Sequence, residues 1–344
     1  MSIYEVKMTP LNIHKGIQKV WFTSILLLLL SQVTHAAMNR PNMEEGKPTE
    51  ISVLGAILDV DKIDSAEQNF TLNLYTIFRW SDPRLAHDGQ GSVIRKLSEV
   101  WNPRLTIMNT QRLWANTKDD VEVSPAGEVT YRLHVFGDFS QPMDLQEFPR
   151  DRHTFEVPVV AAGYRAGEVI FSPVKEADSF MAEKLSVADW KVSNMQSASR
   201  EVVLANGIKL SGFVFSFEGE RLVHHYFVKA MLPLALIVMM SWVVFWIDPK
   251  QIPNQLSVAV TTVLTLIAYH IALSGRLPEI PYMTIMDKFL FSSTLLVFMS
   301  LIEVVVTSHF SSTNRLETAR RIDKTARWFF PLLFLLTTGA SFSL

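Results

Sequence analysis

Four apolar blocks in the last third of the chain, at about 227–246, 253–275, 284–307 and 326–343, restrict its possible folds more than any other feature. Each is near the ~20 residues that a helix needs to cross ~30 Å of hydrocarbon. Lipid offers a backbone no hydrogen-bond partners, so segments of this kind must be helices. Residues 48–222 have the mixed composition of a water-soluble domain instead. The 344 residues therefore divide into a β-rich part, 50–222, and a helical membrane part, 223–344, preceded by a polar leader at 38–49.

Residues 1–37 read as a signal peptide. Lys15 and Lys19 precede the apolar run "VWFTSILLLLL" (20–30), and "THA" (34–36) supplies small residues before a cut near Ala36. The linker 308–325 carries Arg315, Arg320, Arg321 and Lys324 against Glu317 and Asp323, whereas the loop after the second block carries only Arg276 and Glu279. The positive-inside rule puts 308–325 in the cytoplasm. Counting back leaves the β-rich part outside the cell membrane, or in a periplasm, as the signal peptide also requires.

A formal charge of -2 gives no reason to expect nucleic acid as a partner, and the absence of cysteine excludes disulfides, thiolate metal sites and cysteine nucleophiles. No Ser-His-Asp pattern, paired-carboxylate signature or glycine-rich phosphate loop emerges, so neither an enzyme nor a cofactor is expected.

"NFTLNLYTIFRW" (69–80) alternates as a strand does, with Phe70, Leu72, Leu74, Thr76 and Phe78 on one face. "EVTYRLHVFGDF" (128–139) follows the turn signal "SPAG", and 200–217 reads as a hairpin closed by Asn206-Gly207. Strands at this spacing predict a β-sandwich, with a single weak helical stretch from Ile94 to Glu99.

In the second block, Ser257, Thr261, Leu264, Ala268 and Ile271 recur at intervals of 4, 3, 4 and 3, and so share one helix face. A ring of identical helices would turn these hydroxyls to water and bring the leucines together as a gate. Packing inside a bundle is the alternative, because Ser and Thr also bond back to their own helix.

Several motifs, in order from about residue 50 to 343, resemble the pentameric ligand-gated ion channels, specifically the bacterial branch. "EFPRDRHTF" (147–155) is similar to the signature loop that animal members close with a disulfide; here the two cysteine positions fall on Gln141 and Phe155. "WSDPRL" (80–85) and "WNPRL" (101–105) resemble two further extracellular motifs. "MLP" (231–233) with "SWVVFW" (241–246) resembles the first span, "TTVLT" (261–265) the pore helix, and "LPEIPYMT" (277–284) the loop into the third span. The resemblance implies an extracellular sandwich on a four-helix bundle, five identical subunits around a pore lined by the second helix, lipid around the bundle, and opening by a small-molecule agonist or a proton.

It also implies roles for residues. Asp151 and Arg221 would couple sandwich to pore, with Asp64 and Glu67 approaching them and Pro149, Pro278 and Pro281 stiffening the contacting loops. Agonist positions would fall on Tyr75 of one subunit face and on Met108, Ala162 and Tyr164 of the other, with no amine-binding aromatic box. His153, His224, His225 and His270 are candidate pH sensors. Pro253 and Asn254 stand at the inner pore mouth, where cation-selective members carry a glutamate, and Arg276 stands at the outer end. This favours inorganic anions over cations and leaves cations open. Glu303, an acid inside the third span, is a functional candidate by its position, the alternative being a hydrogen bond to a neighbouring helix and nothing more. The rival reading is an oligomeric membrane-anchored sensor or binding protein that passes no ions.

Overall fold

The structure is a computed structural model that describes residues 39–174, 178–274 and 280–343. The signal peptide expected at 1–37, and the site residues Arg276 and Pro278, lie outside the described residues.

Strands come first in the chain: β1 Thr49–Asp64, β2 Asn69–Ser81, β3 Val93–Lys96, β4 Leu105–Ile107, β5 Thr110–Ala115 and β6 Asp120–Val123. Then follow β7 Glu128–Ser140, β8 Arg152–Ala161, β9 Val169–Pro173, β10 Phe180–Met181, β11 Trp190–Val203 and β12 Lys209–Arg221. One sheet has the order β10-β1-β2-β7-β6-β3, with β9 also on β1 and β5 also on β7; the other is β11-β12-β8-β4. The two sheets form a sandwich. The alternation in β2 holds, since Phe70, Leu72, Leu74, Thr76 and Phe78 are all buried. Phe70 meets Phe155 of β8 at 5.1 Å and Phe217 of β12 at 5.7 Å between ring centroids, both edge-on. Such aromatic pairs add about 0.5–1.5 kcal/mol to the area they bury.

Gly55 makes room for this core. A Cβ there would lie 2.1 Å from Cε1 of Phe215, a ring with no solvent exposure. Gly55→Ala is therefore expected to destabilise the sandwich by about 1–3 kcal/mol, the usual result of overpacking. Chemical denaturation of wild type and variant measures it; an unchanged midpoint would show that Phe215 has room to move.

Two sequence readings of the sandwich change. Ile94–Glu99 is not helical: Val93–Lys96 is a strand paired with β6, and only Leu97–Glu99 makes a single 3-10 turn. Ladder partners outweigh the weak helical pattern. The hairpin at 200–217 is present but closes through residues 204–208, with Gly207 at φ +80° and the Leu204 N–H donating to the Ile208 carbonyl at 2.9 Å. The polar leader is bonded to the sandwich: Thr49 Oγ1 donates to the Pro41 carbonyl and Arg84 donates to the Asn39 carbonyl, both at 2.7 Å.

Helices fill the rest. Val223–Trp246 (α1), Ile252–Ser274 (α2) and Ile285–Ser312 (α3) are long and apolar enough to cross a membrane. The fourth apolar block is the C-terminal part of Leu316–Ser343 (α4), whose first turns are charged. α4 packs through Phe334 on Trp242 and Phe289, and through Phe330 on Phe245. The linker expected at 308–325 shrinks to Thr313-Asn314-Arg315, since both helices run on past their apolar blocks. Asn314 makes the reversal at φ +59°, a conformation asparagine tolerates better than most residues.

Candidate functional site

Where the sandwich meets the helices, β8 begins beside the end of β12. Arg221 donates Nε to Asp151 Oδ1 at 2.8 Å and Nη2 to Asp151 Oδ2 at 2.9 Å, a bidentate pair with both side chains buried. Its Nη2 also donates to Ser65 Oγ, and Nη1 to the Tyr226 hydroxyl at 3.1 Å. The guanidinium lies 4.1 Å from the Trp190 ring centroid, 4.8 Å from Phe148 and 5.5 Å from Tyr226. A cation stripped of water is held this way by carboxylate, hydroxyls and ring faces together. The arrangement ties four segments at one point: the β1–β2 turn, the 141–151 loop, the start of β11 and the entry to α1.

Burial pushes the Asp151 carboxyl up, but hydrogen bonds from His153, 2.8 Å away, and from Arg221, together with the Arg221 charge, hold it below the usual carboxylate range. A depressed folded pKa gives stability that is present above the unfolded value, about 3.9, and lost as pH falls through the folded one. Melting temperature against pH is thus expected to lose this contribution only below about pH 4. Asp151→Asn should melt lower at neutral pH and lack that acid limb; an unchanged acid limb would remove Asp151 as its source.

The same loop docks on α3. The N–H groups of Ile285 and Met286, in the first turn of α3, donate to the carbonyls of Gln146 and Phe148 at 3.2 Å each. These are among the N–H groups that a helix start leaves without an intrahelical partner. Thr284 and Asp287 complete the end as a capping box. Tyr282 accepts from the Leu145 N–H at 2.9 Å through its hydroxyl, and Phe148, whose bond to Pro149 is cis, packs edge-on against Tyr226 at 5.0 Å. The loop is thereby bonded or packed against the starts of both α1 and α3.

Asp64 and Glu67 do not join this cluster. Asp64 pairs with Lys62 and accepts from the N–H groups of Ala66 and Glu67, so its own turn uses the carboxylate, and Glu67 is exposed. Ser65, between them, reaches Arg221 instead. Ser65, Trp190, Tyr226 and Tyr282 escaped sequence reasoning because their roles depend on distant partners. The Thr284-x-x-Asp287 box before an apolar run was a readable signal.

On α2, Ser257, Thr261, Leu264, Ala268 and Ile271 are all exposed, Leu264 at 60 % and Ile271 at 71 %. The opposite face, Gln255, Ala259, Thr262, Leu266 and Leu273, is buried against the bundle. In the most apolar 18-residue stretch of each helix, only 17 % is buried in α2, against 39 % in α1 and 33 % in α3. Apart from His224, His225 and Lys229 at the start of α1 and the last turn of α3 from His309, the exposed residues of those two spans are apolar, such as Leu236 and Val243 on α1 or Leu295 and Ile302 on α3. The exposed face of α2 carries hydroxyls. Thr261 and Thr265 donate to the carbonyls of Ser257 and Thr261, at 2.7 and 2.8 Å. Pro253 and Asn254 are exposed in the first turn of α2, and His270 contacts Thr294 of α3 at 3.0 Å.

The agonist candidates fall on two separate surfaces. Tyr75, on the outer face of β2, meets His134 at 5.9 Å and lines a cavity of about 270 Å³ with Asn116, Asp120, Glu122, Arg132 and His134. Arg132 there pairs with Glu122 at 2.8 Å. Phe136 and Trp114 extend the surface as an exposed aromatic pair that the sequence reading passed over. Met108, exposed, and Ala162 flank β4 at its pairing with β8, while the Tyr164 hydroxyl accepts from Trp101 Nε1 at 2.6 Å. One chain does not bring Tyr75 to Met108, Ala162 and Tyr164.

Comparison with known proteins accounts for both halves. Residues 23–214 match the neurotransmitter-gated ion-channel ligand binding domain, and residues 230–317 match the neurotransmitter-gated ion-channel transmembrane region. Among curated proteins, the chain is 24% identical over 279 residues to the gamma-aminobutyric acid receptor subunit rho-1 of Mus musculus and of Homo sapiens, covering 78% of this chain and 58% of each relative. It is 26% identical over 270 residues to the gamma-aminobutyric acid receptor subunit beta-4 of Gallus gallus, covering 75% of this chain and 54% of that relative. The chain thus spans somewhat over half the length of these relatives. With a β-sandwich and membrane helices matched in order to the two domain models, the chain belongs to the neurotransmitter-gated ion-channel family.

Proposed function

We propose that five copies of this chain assemble in a membrane as a ligand-gated channel, with residues 50–222 outside as the ligand-binding part and residues 223–344 forming the pore. The observation that carries this is the exposed α2 stripe of Ser257, Thr261, Leu264, Ala268 and Ile271. Lipid gives a hydroxyl face nothing in return, whereas a water-filled axis hydrates it. Leu264 is the gate residue of this reading.

The agonist is a small molecule bound between subunits, with Tyr75 on one side and Met108, Ala162 and Tyr164 on the other; a proton is the alternative. The related receptor subunits are named for gamma-aminobutyric acid, which supports a small polar agonist. Binding acts through the Asp151–Arg221 pair and the 141–151 loop on the starts of α1 and α3. Anions are the favoured ions, since Pro253 and Asn254 bring no carboxylate to the pore mouth and five helix N-termini meet there.

The test is current through purified protein in planar bilayers, under a tenfold salt gradient, during a slow pH sweep and in the presence of amino-acid agonists. A reversal potential on the anion side supports the full reading. One on the cation side keeps the channel and overturns the selectivity. A silent membrane under every condition favours the non-conducting sensor.

A further inference from the structure

At their inner ends, α3 and α4 meet over two acids that the channel reading does not use. Glu303 of α3 and Asp323 of α4 lie within hydrogen-bond reach of one another. Asp323 is 1 % exposed, and both oxygens of each carboxyl are shut off from solvent with no N–H or O–H donor on them.

The surrounding charges are otherwise engaged. Arg327 of α4 and Asp248, just beyond α1, act on Asp323 from a distance. Arg327 donates Nε to the Phe245 carbonyl at 2.9 Å and lies over the Trp246 ring, and Asp248 faces Arg320 at 3.8 Å. Arg321 lines a cavity of about 360 Å³ beside Glu303, with Phe329 and Phe330, without bonding either acid.

Two facing carboxylates removed from water repel one another, and each loses its hydration. A carboxylic acid and a carboxylate sharing one proton make a short, strong O–H···O⁻ bond instead. We propose that Glu303 and Asp323 form a proton-binding site, in which one bound proton ties α3 to α4 at the inner end of the bundle. The O–H of one carboxyl points at an oxygen of the other. Hydroxide removes that proton as water and leaves two carboxylates that push the helices apart. Because the folded state holds a proton that the unfolded state releases, stability falls as pH rises. This proton is a structural bond rather than an agonist, and the site stands whether or not the protein conducts.

The experiment is an infrared pH titration of the full-length protein in lipid nanodiscs, with melting temperature recorded across the same range. Wild type is expected to show a protonated-carboxyl C=O band at neutral pH that disappears at alkaline pH together with a fall in melting temperature. Glu303→Gln and Asp323→Asn should each lack the band. Glu303→Gln, whose amide donates at every pH, should also lose the alkaline fall. No such band in wild type, as a metal cation between two carboxylates would give, overturns the proposal, as does a band that survives in both variants. If neither variant folds, wild type alone decides: the band and the melting temperature must change over one pH range, and separate transitions overturn the assignment.

Discussion

Arg221→Ala is expected to abolish opening, and to cost about 3–5 kcal/mol of stability, because it leaves the Asp151 carboxylate buried without its partner. The effect is larger than at most ion pairs, since the same side chain holds Ser65 and Tyr226 and fills the space among Trp190, Phe148 and Tyr226. Arg221→Lys separates charge from shape. An ammonium keeps the charge but cannot make the bidentate pair or lie flat on Trp190, so most of the loss should persist. Melting and agonist-evoked current measured on both variants check this. Normal gating in Arg221→Ala pentamers would remove the coupling role, whatever the stability cost.

The second large effect is expected at Leu264. If five leucines meet in the closed pore, Leu264→Ser exchanges an apolar constriction for a hydrated one. Burying a leucine contributes about 1.5–3 kcal/mol. Loss of even about 1 kcal/mol per copy in five copies shifts the closed–open balance by roughly 5 kcal/mol, close to four orders of magnitude. The variant should leak without agonist or open at far lower concentration. Closed-state current and agonist threshold equal to wild type would mean that Leu264 does not face a gate.

Features governed by a local period were legible in the sequence. The alternation in β2 and the spacing on α2 describe faces, and the buried Phe70 and exposed Leu264 lie where those periods put them. Asp151 and Arg221 came from resemblance, and the structure brings them together. What stayed hidden depends on contacts far apart in the chain. Asp64 looked like a coupling acid, yet its own turn supplies the N–H groups that occupy it, and the neutral Ser65 makes the long-range contact. Trp190 carries no motif and becomes a cation platform only when β11 lies beside β12. The polar residues at 308–325 read as a loop because hydropathy marks where lipid ends, whereas helix hydrogen bonds continue past that point. Glu303 was visible as an acid within a span, but its partner Asp323 lay among charges that read as a cytoplasmic linker.

The claim that α2 lines a water-filled axis is open to direct test because the chain contains no cysteine. Single cysteines at Ser257, Thr261, Leu264, Ala268 and Ile271, and at the buried Ala259, Thr262 and Leu266, can each be treated with a charged, membrane-impermeant thiol reagent. The account predicts that the first set reacts, faster with agonist than without, while the second set stays inert under both conditions. Uniform protection of the first set with agonist present, as lipid contact would give, would contradict it.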